Sequence, residues 1–149
     1  MDRPHVDMAL LKEISAAFNS RDPDRIAAHF AEDAVFYMAS GPDPVGRAVR
    51  GREAIRKVLA DRFKTIPDMH WAREDEYLMG DRAVTVWRVT GKSADGTSLN
   101  YQGCDLYTFR DGLITAKDTY WKIVRPDVGR DPLLPKTHPA KRPEGRAGA

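Results

Sequence analysis

The sequence predicts an α+β protein, a cone-shaped barrel formed by a curved antiparallel sheet packed on three N-terminal helices. Two observations carry this reading. Up to about residue 64 the apolar residues recur at helical spacing around one short strand; beyond Pro67 the period becomes two and persists through four strand-like segments. Helices segregated from an antiparallel meander indicate α+β architecture. Helices lying in the concavity of a curved sheet leave a cone-shaped hollow, a usual kind of small-molecule site.

Each element has its own signal. In "DMALLKEISAAFNS", Leu10, Ile14, Ala17 and Phe18 share a helical face and Asp7 can cap the start. In "RDPDRIAAHFAED", Asp22-Pro23 is a cap and first-turn pair, Asp24 suits the positive end of the helix dipole, and Ile26 and Phe30 fall four apart on the buried side. "AVFYM" then reads as a short strand, and "ASGPDPVGRAVRG" as a Gly/Pro-rich loop on a pocket rim. A third helix spans about Arg52 to Lys64, with Ile55, Val58, Leu59 and Phe63 as its stripe, and Pro67 stops it. Gly80-Asp81, "KSADGT" and Asp111-Gly112 separate four alternating strands.

The chain of 149 residues reads as one folded domain over 1–124, followed by a Pro-rich basic tail over 125–149. That tail holds six Lys/Arg against three Asp/Glu and five of the ten prolines, so it reads as mostly disordered. The net charge of +2 therefore comes from the tail, leaving residues 1–124 near −1. A folded face without basic excess, and a tail without a dense basic run, argue against nucleic acid as a partner. One cysteine, Cys104, excludes an internal disulfide, and with the scattered His5, His29, His70 and His138 it makes no metal motif. The absence of a signal-type or membrane-spanning apolar run leads us to expect no membrane association and a cytoplasmic location.

"FAEDAVF", "GREAIRKVLADRF" and "GCDLYTFRDGLITAKDTYWK", in this order and spacing, resemble the nuclear transport factor 2-like superfamily, in its SnoaL-like and ketosteroid-isomerase-like branch. The similarity covers about residues 8–124. It implies a homodimer through the convex sheet face and a pocket for a small apolar molecule with a polar handle. Relatives include isomerases, cyclases, dehydratases and hydrolases, as well as non-catalytic binding and dimerisation domains, so the fold alone does not choose between enzyme and binder. The isomerase chemistry uses a carboxylate base, with a tyrosine and a protonated aspartic acid holding the oxyanion. By resemblance Asp105 matches that aspartic acid and Trp121 the pocket tryptophan. The first helix offers Ile14 and Phe18 in place of the tyrosine, and the base position falls on Met38, with Asp43 several residues on. Steroid isomerisation by that mechanism is therefore not expected.

The hairpin register decides what Asp105 meets. A two-residue Asp111-Gly112 turn places Asp105 opposite Asp118, whereas a three-residue loop with Gly112 left-handed places it opposite Lys117 and sets Tyr101 opposite Trp121. We expect the second, because it puts Asp105 and Trp121 on one pocket side. A facing lysine favours the charged carboxylate, so the pair is either a cross-strand ion pair or an acid–base unit. The candidate catalytic residues are Asp105 and Lys117, and the candidate ligand-binding residues are Tyr37, Trp87, Tyr101, Tyr107 and Trp121. Tyrosines alternating with Asp105 can supply a hydroxyl in place of the missing helix tyrosine. Cys104 alternates to the other face. Cofactor-free general acid–base work on a carbonyl compound is one reading, and a non-catalytic ligand-binding or dimerisation domain is the other.

Overall fold

The computed structural model describes residues 6–124; the expected tail lies outside them. Helix α1 (Met8–Ser20) begins where the Asp7 carboxylate accepts the Leu10 N–H at 2.8 Å, and it buries Leu11, Ile14, Ala17 and Phe18. Leu11, rather than Leu10, carries the upper end of the stripe. Helix α2 (Pro23–Ala27) is capped by Asp22, which accepts from Asp24 and Arg25. It is shorter than the sequence predicts. Phe30 is not on its buried side but opens strand β1 (Phe30–Tyr37), where pairing with Ile114 leaves it fully buried.

The loop after β1 contains a strand the sequence reading lacks. β2 (Ala48–Arg50) pairs antiparallel with β1, Tyr37 opposite Ala48 and Val35 opposite Arg50. Helix α3 (Arg52–Thr65) buries Ile55, Leu59 and Phe63 as its spacing predicts, with Val58 half-buried. The meander follows as β3 (His70–Met79), β4 (Arg82–Lys92), β5 (Ser98–Arg110) and β6 (Leu113–Trp121). The six strands lie in the order β2-β1-β6-β5-β4-β3. All neighbours are antiparallel except β1 and β6, which run parallel. The predicted barrel is thus an open curved sheet with one parallel pair. Leu11, Ile14, Phe18, Ile55, Leu59 and Phe63 of the helices meet Phe30, Phe36, Trp87, Val89, Tyr107, Phe109 and Ile114 of the sheet in one core.

The β5–β6 hairpin follows neither register anticipated from sequence. Asp111 and Gly112 form a two-residue turn with φ of 53° and 81°, and Arg110 pairs with Leu113. Two positive φ values are the signature of a type I′ turn, whose twist matches that of the strands. Phe109 then pairs with Ile114, but Thr108 pairs with Ala116, so Thr115 is an extra residue on β6. Its hydroxyl donates to the Thr108 carbonyl at 3.1 Å. Beyond this bulge Asp105 faces Thr119, not Lys117 or Asp118, and Trp121 faces Gly103, not Tyr101. One inserted residue exchanges the faces of a strand. The bulge therefore turns Lys117 and Trp121 toward the helices together with Asp105, the same sidedness that a three-residue loop would have produced.

Candidate active site

Beneath α1 and α3 the concave face of the sheet is a small grid. Across β4, β5 and β6 its rows read Ala83, Tyr107, Lys117; then Thr85, Asp105, Thr119; then Trp87, Gly103, Trp121. Asp105, Lys117 and Thr119 are 5%, 6% and 7% exposed, a polar cluster inside an apolar core. Such groups must be paired to be tolerated, and these are. One Asp105 oxygen accepts from Lys117 Nζ at 2.9 Å and from Thr119 Oγ1 at 2.6 Å, while the other accepts from Trp87 Nε1 at 2.8 Å. Lys117 also donates to Thr119 Oγ1 at 2.7 Å. Its ammonium lies 4.3 Å from the ring centre of Phe36 and 5.3 Å from that of Phe18, two aromatic faces that help hold a desolvated cation. Burial pushes the Lys117 ammonium below the usual lysine value, against the opposing pull of Asp105.

Gly103 makes the arrangement possible. A Cβ there would lie 2.4 Å from the Trp87 ring and 2.6 Å from the Tyr120 carbonyl. Only a glycine lets the Trp87 indole cross β5 and reach Asp105.

Two small adjoining cavities open onto this cluster, each with an inner volume of about 40 Å³. That inner space holds a few waters or a small polar group. One cavity is lined by Asp105, Tyr107, Thr85 and Arg73, and the other by Thr119, Trp121, Arg62 and Met38. Both are bounded by Lys117, Trp87, Phe18 and Trp71. Arg73 is already matched by a two-pronged bond to Glu76. Tyr107 is 3% exposed, and burial, then the charge of Asp105, pushes its phenol well above the ordinary tyrosine value. Among the described residues its hydroxyl has no hydrogen-bond partner. It is a neutral donor beside a carboxylate and an ammonium.

Of the residues singled out from sequence, Asp105, Lys117, Trp87 and Tyr107 meet in this space, and Trp121 bounds its second half. Tyr101 stands behind Trp121, ring centres 5.6 Å apart, and lines neither cavity. Tyr37 is a correction. Phe36 pairs with Lys117 and faces inward, so the alternation of β1 sends Tyr37 to the opposite face beside Asp118. Met38, which the resemblance sets at the base position, lines the second cavity, and Asp43 sits in an exposed turn with Gly46. Thr119 and Arg62 are site residues that the sequence reading missed, and Phe18 and Trp71 line both cavities as well. Arg62 carried a usable signal, since it lies three residues beyond Leu59 and seven beyond Ile55 on the edge of the α3 stripe. Cys104 faces away from Asp105, and burial together with Asp105 and Asp118 raises its thiol, which makes it a poor nucleophile. His29, half-buried and lowered mainly by burial, and exposed His70 line neither cavity. Among the described residues no group of three His, Cys, Asp or Glu is placed to hold a metal ion, and no helix is long and apolar enough to cross a membrane.

A family model for the SnoaL-like domain matches residues 11–117, from α1 to Lys117 itself. The chain belongs to the SnoaL-like domain family. No curated protein sequence matches it. Solved structures of the same fold include a protein with a ketosteroid isomerase-like fold from Catenulispora acidiphila, in complex with trimethylamine. It is 20% identical with a TM-score of 0.70, covering 79% of this chain and 88% of that one. An NTF2-like protein of unknown function from Mesorhizobium loti is 27% identical with a TM-score of 0.64, covering 78% and 90%. A SnoaL-like polyketide-cyclase-type protein from Jannaschia is 18% identical with a TM-score of 0.66, covering 82% and 91%. These likenesses establish the SnoaL-like and NTF2-like architecture, with its cone of helices and sheet. What the family's pocket does in this chain rests on its own residues.

Proposed function

We propose that this SnoaL-like protein is a cofactor-free enzyme that moves a proton next to the carbonyl of a small, largely apolar molecule, in an isomerisation, cyclisation or dehydration. The observation that carries the reading is the buried Tyr107 hydroxyl, without a partner among the described residues, on the same cavity as the Lys117–Asp105 pair. In this reading Tyr107 and Lys117 donate to the carbonyl oxygen and hold the charge that develops there as the adjacent C–H bond breaks. Asp105 accepts that proton, and Thr119 and Trp87 keep its oxygens in place. Trp71, Trp87, Trp121 and Phe18 form the apolar wall. The positions of Met38 and Ile14 separate this arrangement from the steroid-isomerase constellation.

The test is solvent-deuterium exchange at the carbon next to the carbonyl, followed by NMR across a panel of small ketones and diketones. The wild type catalyses exchange; Asp105→Asn loses it while a ketone still binds, with thermal unfolding confirming that the variant folds. No exchange by the wild type with any member of the panel would favour the non-catalytic binding domain instead.

On the convex face Leu106 and Tyr120 are large exposed apolar groups, and Val86, Cys104 and Tyr120 border a shallow groove of about 310 Å³. We place the homodimer contact on this face.

A further inference from the structure

The cavity adjoining the one that Tyr107 lines holds a charge that the proposed proton transfer does not use. Arg62, in the last turn of α3, lines the cavity with Lys117, Thr119 and Trp121. Among the described residues its guanidinium has no hydrogen bond and no ion pair. It is half-buried, burial pushes it below the usual arginine value, and its charge opposes protonation of Lys117. Two cations, Arg62 and Lys117, therefore line this cavity, whereas Asp105, the carboxylate bound to Lys117, and Arg73, matched by Glu76, line only the adjoining one. A desolvated cation without a partner costs the fold stability, and a guanidinium fork fits a carboxylate with two parallel bonds. Apart from Ser40 the remaining walls are aromatic or aliphatic, chiefly Trp71, Trp121, Met38 and Leu59, so the complementary molecule has one anionic end and an apolar body.

We propose that Arg62 is the carboxylate-binding residue of this cavity and that the ligand is a small apolar keto acid. Its carboxylate seats on Arg62 and its carbonyl faces Tyr107 and Lys117, an orientation that rests on the acid–base reading above. Arg62 is a binding residue here and takes no proton.

The experiment measures binding of levulinate and benzoylpropionate, each against its own methyl ester, by ligand-observed NMR. Wild type, Arg62→Met and Lys117→Met are compared, with α-deuterium exchange recorded in the same samples. The wild type binds each acid at least about tenfold more tightly than its ester, the worth of a charge-assisted hydrogen bond. Arg62→Met reduces the acid to the level of the ester. Its ligand-free melting temperature does not fall, because a half-buried cation without a partner among the described residues has been removed. Lys117→Met keeps the preference for acid and loses exchange. Acid and ester binding alike to the wild type, neither binding at all, or an acid preference surviving in Arg62→Met would overturn the assignment. A preserved acid preference without exchange would instead contradict the acid–base reading and leave Arg62 as the anion site.

Discussion

At the scale of residues, the site is a buried ion pair held by more bonds than an ion pair needs. Removing one partner of a buried pair costs about 3–5 kcal/mol, because the other is left charged and desolvated. Lys117→Met should destabilise the protein by that amount in urea unfolding, and Lys117→Met combined with Asp105→Leu should recover most of it. Lys117 also fixes a pH dependence. Its native value lies below its unfolded one, so across the window between the two the unfolded chain binds more protons than the native one. Stability contributed by Lys117 therefore rises as pH rises through that alkaline window. The stability difference between wild type and Lys117→Met should grow as pH rises toward the ordinary lysine value; a difference that shrinks would contradict the direction of the shift. Gly103→Ala should displace Trp87 from Asp105, visible as a changed indole N–H resonance. Asp105 was legible through its match to the family motif, and Lys117 through the expectation that the hairpin register sets a lysine beside it. Thr119 was not, since its place depends on a register that no residue type announces, and Arg62 was overlooked although its spacing from Ile55 and Leu59 puts it on the edge of the α3 stripe.

At the scale of elements, the hairpin of β5 and β6 shows what sequence can and cannot fix. The Asp-Gly turn was readable, because few residue pairs tolerate two positive φ values. The bulge at Thr115 was not, because a bulged residue in an ordinary conformation needs no glycine. Its consequence is large, since it decides that Lys117 and Trp121 face inward. Thr115→Val, which removes the bond to the Thr108 carbonyl, should cost about 0.5–1.5 kcal/mol and should broaden the Lys117 and Trp121 resonances if the bulge begins to slip. Unchanged stability would mean that core packing alone holds the register. The same limit explains β2 and the short α2. A three-residue strand inside a Gly/Pro-rich loop has no period to detect, and Phe30 suits a helix and a strand equally until its partner Ile114 is known.

At the scale of the whole molecule, the helices cover the concave face and leave the convex one to solvent. Leu106 and Tyr120 lie on neighbouring convex strands, 37% and 55% exposed. Paired through this face, the protein should elute as a dimer on light-scattering chromatography, and Leu106→Arg with Tyr120→Glu should convert it to a monomer that keeps its cavity. A monomeric wild type would contradict that assignment. The α+β class was legible from the change of period alone, whereas the open edge and the parallel β1–β6 pair depend on contacts between distant segments.

In the proposed reaction a carbonyl in this cavity is polarised by Tyr107 and Lys117. The most direct measurement of that polarisation is the NMR shift of an isotope-labelled carbonyl carbon in bound levulinate. Wild type should move that resonance downfield from its value in water, and Tyr107→Phe should return it most of the way while lowering any exchange activity about 10²–10³-fold, the usual loss of one oxyanion donor. A carbonyl resonance in the wild type no further downfield than in water would contradict the account.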